Sequence, residues 1–459
     1  MFIKEDTLMS TKATKEERGF STRALDPKIP WLLPHTHIMP IFLTSTYTMD
    51  SLDSPADQAM NLEGLLLLII ASSPIIGRRL DNEDFLQLQA EVSRFTDQKF
   101  TFKYPRIAHP NGESLEHTIA SLEGGEAAAC AADGMRTISL AMASILHPQR
   151  SGTIVSTSPL YSDTYRFFMI DLVPRGKQYT LLNSPEFCAD EFKNIVMHAP
   201  PEAPVEVLFI ETPANPTLTI WDIKALCNTA HEYDIPVIVD STFATPYNCR
   251  PLKLGADLVI QSLTKYYCGN GTTLGGAVIG SHDRIKEIKE RRQREGGHLH
   301  PMAAWLIQVG LQTFEMRMER HNKNAALLAR FLNIKKNRRY IAKIYYPGFS
   351  AHAGHAAARE QMRMPNGKPG FGGMVSFELA RKELVKPFVE TLAQHLELAV
   401  SLGSTKSMFS VPALQIHSSL PPEERTALGI SDTLIRFSVG VEDFKDIRYA
   451  FEEAFKSVS

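Results

Sequence analysis

The sequence has little cysteine and no metal-ligand motif of the C-x-x-C type. Its 459 residues include only five cysteines, an odd number, and these are scattered along the chain. A disulfide framework needs paired cysteines and a structural zinc site needs closely spaced ones, so both are excluded. We therefore expect reduced thiols, no bound metal and a cytoplasmic protein.

An excess of one charge is also absent. Lysine and arginine total 49 against 51 aspartate and glutamate, and the net charge is -2. A nucleic-acid-binding protein normally carries a basic surface, so we expect no nucleic-acid partner. Hydrophobic residues make up 44% and charged residues 22%, as in ordinary globular proteins.

No apolar run is long enough to cross a bilayer. The most apolar segment, "LLLLIIASSPII" at 65–76, has about half the necessary length and is interrupted by Ser72, Ser73 and Pro74. The first twenty residues are polar and mixed in charge, unlike a signal peptide. We interpret 65–76 as a packing segment and expect no membrane association.

What the sequence does contain is an alternation of short apolar runs with amphipathic stretches. One such stretch, 221–233, has apolar residues on a single helical face. This order predicts an α/β fold with a doubly wound, mostly parallel sheet. The predicted strands are "GTIVSTS" (152–158), "VEVLFIET" (205–212), "PVIVDST" (236–242) and "ADLVIQS" (256–262).

The pattern changes after about residue 300, which indicates a smaller C-terminal α/β domain. A long helix is predicted over 303–332, then strands over 372–379 and 433–440 with a helix over 385–402 between them. We predict an N-terminal arm and irregular segment (1–112), a large domain (113–310) and a small domain (311–459).

Polar residues follow several predicted strands at the point where each strand ends. Asp240 ends one strand, Asn215 follows a second and Lys265 follows a third. Ligands of such sheets bind at the carboxyl ends of the strands. A lone lysine is usually a solvated surface residue, but this convergence favours a functional one.

A lysine and an aspartate at neighbouring strand ends are typical of a pyridoxal 5'-phosphate (PLP) site. The lysine forms a Schiff base with the cofactor, and the carboxylate keeps the pyridine nitrogen protonated so that the ring accepts electrons. Lys265 and Asp240 suit these roles. Asp240 could instead cap a helix.

The cofactor phosphate needs backbone amides at a helix start and hydroxyl groups. Gly134 and Met135 open a predicted helix and could supply the amides. Ser262 and Thr264 flank the lysine and could supply hydroxyls. Tyr161 could cover the ring, although a core aromatic is the alternative.

Six runs in family order resemble the Cys/Met-metabolism (transsulfuration) family of PLP-dependent enzymes. The resemblance implies the fold-type I transferase-like architecture, PLP as cofactor and an amino acid as substrate. The runs cover nearly everything from residue 104 onward: 104–128, 159–165, 211–223, 239–247, 255–276 and 430–443.

The resemblance also implies roles for further residues. Tyr104 and Arg106 match a Tyr-x-Arg motif that reaches the neighbouring subunit's phosphate, which implies a homotetramer built of dimers with shared sites. Arg436 matches the arginine that binds the substrate carboxylate, and a structural ion pair is its alternative. Ser401 and Asn215 match residues that position substrate and cofactor.

Several positions depart from the family pattern. Asp133 replaces a small residue or serine before the Gly-Met pair, and Asp163 replaces glycine or cysteine. Gln261 and Asn270 each replace histidine. Cys268, close to the lysine, is interpreted as a small buried residue.

The activity implied by the resemblance is carbon–sulfur lysis of methionine or cystathionine by γ- or β-elimination. In this interpretation Lys265 takes the α-proton and Tyr161 is a proton donor to the leaving group. Val400, an apolar residue before Ser401, favours a thioether substrate. The alternatives are γ-replacement, as in cystathionine γ-synthase or O-acetylhomoserine sulfhydrylase, and a weakly active PLP-binding protein.

Overall fold

The computed structural model describes residues 20–25, 40–46, 102–415, 418 and 421–459. The apolar segment 65–76 and most of the predicted N-terminal arm lie outside these residues. Within the described part of the chain, no helix combines the length and apolar character that crossing a membrane requires.

A seven-stranded sheet forms the larger part of the fold, in the order β1-β7-β6-β5-β4-β2-β3. Strands β3, β2, β4, β5 and β6 are parallel to one another, and β7 is antiparallel to both of its neighbours. All four predicted strands are confirmed, as β2, β4, β5 and β6. The bounds are β1 Ala127–Ala131, β2 Gly152–Thr157, β3 Lys177–Leu182, β4 Val205–Glu211, β5 Val237–Asp240, β6 Leu258–Ser262 and β7 Gly276–Gly280.

Helices cover both faces of this sheet, which confirms the predicted doubly wound arrangement. Along β5, Val237 and Val239 join the core cluster that contains α2 and α6, whereas Ile238 joins the cluster that contains α3 and α8. This alternation follows from the two-residue period of a strand. The helices are α1 Phe20–Leu25, α2 Pro110–Glu123, α3 Gly134–Ile145, α4 Ser162–Arg166, α5 Cys188–His198, α6 Ile223–His231, α7 Thr245–Asn248, α8 His282–Glu295 and α9 Pro301–Leu311.

A smaller sheet in the C-terminal part has the order β10-β11-β12-β9-β8, as the predicted smaller α/β domain requires. Its strands are β8 Ile341–Tyr345, β9 Met374–Leu379, β10 Glu397–Leu398, β11 Met408–Ser410 and β12 Leu434–Ser438. The accompanying helices are α10 Phe314–Leu332, α11 Lys335–Arg338, α12 His355–Gln361, α13 Val385–Leu392, α14 Pro422–Ala427 and α15 Phe444–Lys456.

Helix α10 joins the two cores. Phe314 and Met318 at its start are buried in the large sheet's cluster, whereas Leu328 and Leu332 are buried in the cluster of the small sheet. The packing of both sheets therefore depends on this one helix.

The single helix predicted over 303–332 is wrong, because the structure has two helices, α9 and α10, with a break at 312–313. The Gly310 carbonyl accepts a hydrogen bond from the side chain of Arg317 (2.8 Å) and another from the backbone N–H of Thr313. The four-residue helical hydrogen-bond pattern is lost at this point.

The helix predicted over 385–402 is also wrong in its second half. Helix α13 ends at Leu392, and Glu397 and Leu398 pair in parallel with β11. Pairing at the sheet edge satisfies the backbone there, and tertiary context of this kind overrides a local helical pattern.

Candidate active site

A cavity of about 450 Å³ lies at the carboxyl ends of the central strands. Glu211 ends β4, Asp240 ends β5 and Ser262 ends β6, and all three line the cavity. Ligands of doubly wound sheets bind at this edge. Apart from Tyr104 and Arg106, every residue predicted for the site lines it: Gly134, Met135, Tyr161, Asn215, Asp240, Ser262, Thr264, Lys265, Ser401 and Arg436.

Lys265 lies in the turn that directly follows β6. Its backbone N–H donates to the Ser262 carbonyl (3.2 Å), and its Nζ donates to Ser401 Oγ (3.0 Å). Burial, together with the positive charge of Arg436, lowers the pKa of the Lys265 amine to about 8. A lysine with a depressed pKa has the neutral form that a nucleophile or base requires.

Two carboxylates lie side by side at the floor of the cavity, because Glu211 and Asp240 are register partners on β4 and β5. Asp240 Oδ1 accepts a hydrogen bond from the Thr242 amide (3.0 Å), and burial raises the pKa of the Asp240 carboxyl. Burial and then the charge of Asp240 raise the pKa of Glu211 to about 8.

Sequence reasoning missed Glu211, although it holds two segments of the site in place. Its Oε2 accepts from the Tyr161 amide (2.7 Å) and its Oε1 from the Asn215 amide (2.8 Å). The strand-end pattern that identified Asp240 applies equally to Glu211 and could have found it.

The N-terminus of α3 opens onto the same cavity. Asp133 is its N-cap, and Oδ1 of Asp133 accepts from the Arg136 amide (2.7 Å). The first amides of a helix lack partners within it and favour anions, so Gly134 and Met135 suit a phosphate group. The Asp133 carboxylate caps the same terminus, which accounts for an aspartate at this position. It also places a negative charge beside the predicted phosphate site.

The two hydroxyls that flank the lysine have different surroundings. Thr264 Oγ1 donates to the Gly275 carbonyl (3.2 Å) and accepts from the Gly275 amide (3.1 Å). No hydrogen bond of this kind fixes the Ser262 hydroxyl within the described residues, and the Ser262 N–H donates to Thr242 Oγ1 (3.0 Å). Ser262 is therefore the stronger candidate of the two for a phosphate contact.

Arg436 on β12 is buried and is held by three acceptors. It donates to Asn215 Oδ1 (3.1 Å), to the Val400 carbonyl (2.6 Å) and to the Ser401 carbonyl (3.1 Å). Its Nε has no hydrogen-bond partner within the described part of the chain. A buried guanidinium with an unused donor suits a carboxylate ligand.

Tyr161 is positioned immediately before α4, with its side chain toward the opening of the cavity. Its hydroxyl donates to Asp163 Oδ2 (2.9 Å). Burial first and then this carboxylate raise the pKa of the Tyr161 phenol. Asp163, which departs from the family pattern, thus contacts the predicted site residue Tyr161 directly.

Tyr104 and Arg106 do not reach the cavity of their own chain. The Arg106 guanidinium lies 5.4 Å from the centre of the Tyr104 ring and donates to the carbonyl of Gln293 in α8. Within one chain, these two residues stand apart from the other predicted ones.

Two further departures lie outside the cavity. Gln261 is fully buried and donates to Glu123 Oε1 (2.8 Å). Asn270 Oδ1 accepts from Thr272 Oγ1 (2.7 Å) and from Cys268 Sγ (2.9 Å) in the loop after the lysine. Cys268 is buried, as expected, and both substitutions serve local packing.

The donor set fits PLP. Lys265 offers an amine for the aldehyde carbon, Asp240 a buried carboxyl for the pyridine nitrogen, and the start of α3 amides for the phosphate. Across the residues that the structure describes, no cluster of three or more His, Cys, Asp or Glu side chains could bind a metal ion.

Comparisons with known proteins agree with this fit. Residues 83–456 match the family model described as Cys/Met metabolism PLP-dependent enzyme. An L-methionine gamma-lyase of Fusobacterium nucleatum is 38% identical over 80% of this chain and 89% of its own length. A cystathionine beta-lyase of Lactococcus lactis is 36% identical over 77% and 88%, and a cystathionine gamma-lyase of Bacillus subtilis is 35% identical over 78% and 89%.

Solved structures with the same fold also match over nearly the whole chain. The crystal structure of metB from Corynebacterium glutamicum is 27% identical with a TM-score of 0.78, and the match covers 97% of this chain and 100% of that one. Cystathionine gamma-lyase from Lactobacillus plantarum, complexed with L-serine, is 27% identical with a TM-score of 0.77, covering 96% and 99%. These matches and the two sheets confirm the expected fold-type I architecture.

Proposed function

Since the chain belongs to the Cys/Met metabolism family of PLP-dependent enzymes, we propose that it is a carbon–sulfur lyase. It cleaves a sulfur-containing amino acid such as methionine or cystathionine by γ- or β-elimination. The observation that carries the proposal is the single cavity in which Lys265, Asp240 and Arg436 meet. The lyase names of several relatives support the same reaction type.

Lys265, Asp240 and the start of α3 would hold the cofactor. When bound, PLP supplies an electron sink for negative charge that develops at the substrate α-carbon. Asp240 would keep a proton on the pyridine nitrogen, and Tyr161 would cover the ring. Gly134 and Met135 would bind the phosphate through their amides, with Ser262 contributing a hydroxyl.

Lys265 is the proposed base. Its pKa of about 8 leaves an appreciable fraction of neutral amine, and Ser401 Oγ orients Nζ through the 3.0 Å hydrogen bond. The neutral amine takes the α-proton of the substrate. The proximity of positively charged Arg436 opposes protonation of the same nitrogen before the transfer.

Arg436 is the proposed anchor for the substrate carboxylate. Asn215 and the carbonyls of Val400 and Ser401 hold the guanidinium in a fixed plane, and among the described residues Nη1 donates only to Asn215, which leaves its second N–H for the ligand. Fixing the carboxylate orients the α-carbon toward Lys265. Orientation of this kind lowers the barrier by removing the entropy cost of alignment.

Tyr161 is the proposed donor of a proton to the departing sulfur. The neutral phenol carries the proton at Oη, and its pKa is raised above the ordinary value. Val400, an exposed apolar residue of the cavity wall, suits a thioether chain better than a charged one. This favours elimination from a substrate of the methionine type.

Gamma-replacement is the second candidate. A cystathionine gamma-synthase of Arabidopsis thaliana is 34% identical over 82% of this chain, and it shares the family of the lyases. Replacement requires the same residues and a second amino acid or thiol that enters after the first product leaves. Elimination and replacement therefore use the same catalytic residues and differ in what happens after the first product leaves.

A substrate panel with the purified, PLP-loaded protein tests the proposal. Release of 2-oxobutanoate or pyruvate with a thiol from methionine or cystathionine is the expected result. Product formation only when an O-acylhomoserine and a thiol are supplied together would favour replacement. A yellow protein whose spectrum stays unchanged with every amino acid would contradict both and indicate a PLP-binding protein.

We propose that the functional unit is a homo-oligomer, a tetramer built of two dimers with shared active sites. Tyr104 and Arg106 do not line the cavity of their own chain, which supports a role in the neighbour's site. Arg106→Ala and Lys265→Ala, each inactive alone, should complement when co-folded, because a mixed dimer keeps one intact site. Absence of activity in verified hetero-oligomers would overturn sharing.

A cytoplasmic location is proposed for the same chain. All five cysteines are buried free thiols. Free thiols persist in reducing compartments, whereas secreted proteins commonly oxidise them. Fractionation of cells that express the full chain tests this point.

A further inference from the structure

The opening of the cavity contains a carboxylate that the proposed chemistry does not use. Asp163 lies near the start of α4 and lines the cavity, and its Oδ2 accepts a hydrogen bond from the Tyr161 hydroxyl (2.9 Å). We propose that Asp163 is a positioning residue that keeps Tyr161 in its neutral, proton-carrying form and fixes the direction of its O–H. The proposal rests on the proposed function for the use of that proton.

Tyr161 is held at both ends. Its backbone N–H donates to Glu211 Oε2 (2.7 Å), and its hydroxyl donates to Asp163 Oδ2. Asp163 is only two residues along the chain and belongs to a helix, so its carboxylate cannot move far from the phenol. The ring therefore has little freedom, and its O–H has a defined acceptor before substrate arrives.

The charges that face Tyr161 come from three elements. Asp163 on α4 and Glu211 at the end of β4 are acidic, and Arg436 on β12 is basic. The two acids favour the neutral phenol, whereas the arginine favours the phenolate. Burial adds to the effect of the acids, and the pKa of Tyr161 is raised in consequence.

The negative charge of Asp163 is only weakly compensated by nearby cations. Half of the Asp163 side chain is exposed, and the nearest cation is Arg166, whose Nη1 lies 4.0 Å from Asp163 Oδ1. An exposed pair at this distance contributes little. The hydrogen bond to the Tyr161 phenol (2.9 Å) is therefore the shorter of the two contacts of the Asp163 carboxylate.

The consequence for the reaction is a proton kept available at alkaline pH. As the carbon–sulfur bond breaks, its electron pair goes to sulfur, and the electron pair left on the adjacent carbon by removal of its proton forms a carbon–carbon double bond. The Tyr161 O–H turns from Asp163 Oδ2 to the sulfur, that O–H bond breaks and an S–H bond forms. The phenolate left behind regains a proton from water. Asp163 neither gives nor takes a proton in this step, so it acts through its hydrogen bond to Tyr161.

Asp163→Asn removes the charge and keeps the shape of the side chain. In the PLP-loaded enzyme, the alkaline limb of the kcat/KM profile should move to lower pH by about one unit or more. Asp171→Asn is the matched control, because it removes an exposed charge from the same helical stretch away from the cavity. Asp163→Gly is a second variant in case the amide itself binds the phenol.

A readout that does not need turnover is the ultraviolet titration of the phenolate. Each protein is compared with its own Tyr161→Phe counterpart, and the difference isolates Tyr161. In Asp163→Asn the phenolate should form at lower pH than in the parent. An unchanged titration together with an unchanged alkaline limb would overturn the inference. If no sulfur amino acid is cleaved by any form, the proposed function fails while the titration still decides the role of Asp163.

Discussion

The floor and the mouth of the cavity differ in how they are built. The floor consists of Glu211, Asp240, Ser262 and Lys265, at or directly after the ends of β4, β5 and β6. The mouth consists of residues on loops and helix ends: Asp163, Leu274, Val400 and Gln415. Glu211 is 5% exposed, whereas Val400 is 56% and Leu274 is 61% exposed.

This difference separates chemistry from selectivity. Strand ends in a packed sheet have fixed positions, so the floor is suited to groups that must stay aligned with a cofactor. Loop residues at the mouth can change without disturbing the core, so they are suited to discriminating between substrates. Substitutions at the floor should therefore affect every substrate alike, and those at the mouth should affect substrates unequally.

The largest effect is expected from Lys265→Ala at the floor. Loss of the base should lower turnover by roughly 10³-fold or more for every sulfur amino acid, since general base catalysis commonly contributes this much. The variant should still fold, because the side chain lies in a turn and does not fill the core. Borohydride reduction followed by peptide mapping should label Lys265 in the parent, and Lys224→Ala, an exposed lysine on α6, is the control.

Label on another lysine, or near-normal turnover in Lys265→Ala, would contradict the assignment. A loss confined to one substrate would also break the proposed separation between floor and mouth.

Arg436→Lys should give the next largest effect. Lysine keeps the charge but cannot hold Asn215 and the Val400 and Ser401 carbonyls while binding a carboxylate. We expect a fall in kcat/KM of about 10²-fold, mainly through KM. Steady-state kinetics with two substrates measures it, and Arg448→Lys on the exposed side of α15 is the matched control. An unchanged KM would remove Arg436 from the substrate site.

Glu211→Gln tests whether the floor depends on more than the residues that touch ligands. The amide offers one acceptor oxygen, whereas the Tyr161 and Asn215 amides require two. One backbone donor would then face an N–H₂ group, at a cost of about 1–3 kcal/mol. Cofactor affinity, measured by fluorescence quenching, should fall by about tenfold, and exposed Glu202→Gln should leave it unchanged.

A Glu211→Gln variant that binds PLP as tightly as the parent would show that the two hydrogen bonds that Glu211 accepts from the Tyr161 and Asn215 amides are dispensable. The functional floor of the cavity would then consist of Asp240, Ser262 and Lys265, without Glu211.

Asp133→Asn should give the smallest effect and the opposite sign. Asparagine keeps the α3 cap but removes the negative charge that shares the helix terminus with the phosphate site. Cofactor affinity should rise by about threefold, because a charge near a helix terminus is worth about 0.3–1 kcal/mol. Asp222→Asn makes the same exchange at the N-cap of α6, away from the cavity, and should not alter affinity. Weaker binding in Asp133→Asn would mean that the carboxylate assists the phosphate site.

The strands of the large sheet were predictable because their apolar runs are short and bounded by polar residues. The two misassigned helices were not, since their sequences have a helical pattern and the interactions that interrupt it are not hydrophobic. Arg317 takes the Gly310 carbonyl at the first break, and pairing with β11 takes Glu397 and Leu398 at the second. Hydrophobic periodicity reveals neither a bond from a side chain to a carbonyl seven residues away nor the pairing of a short edge strand.

In the site, position at a strand end identified Lys265 and Asp240, and the same rule was available for Glu211. The bond between Tyr161 and Asp163 depends on side-chain direction in a short helix, which the pattern of residues does not specify. Tyr104 and Arg106 rest on the family resemblance, because they do not line the cavity of their own chain that contains Lys265.

Arg317 connects helix α10 to the turn that carries the reactive amine of Lys265. Its guanidinium donates to the carbonyls of Tyr266 (2.7 Å) and Tyr267 (3.3 Å), the two residues that directly follow Lys265. Arg317 belongs to α10, whose far end is buried in the core of the small sheet. Helix α10 therefore connects the core of the small sheet directly to the turn that carries Lys265. Because Arg436 also belongs to the small sheet, the distance between the reactive amine and the proposed carboxylate anchor depends on how firmly α10 holds that sheet.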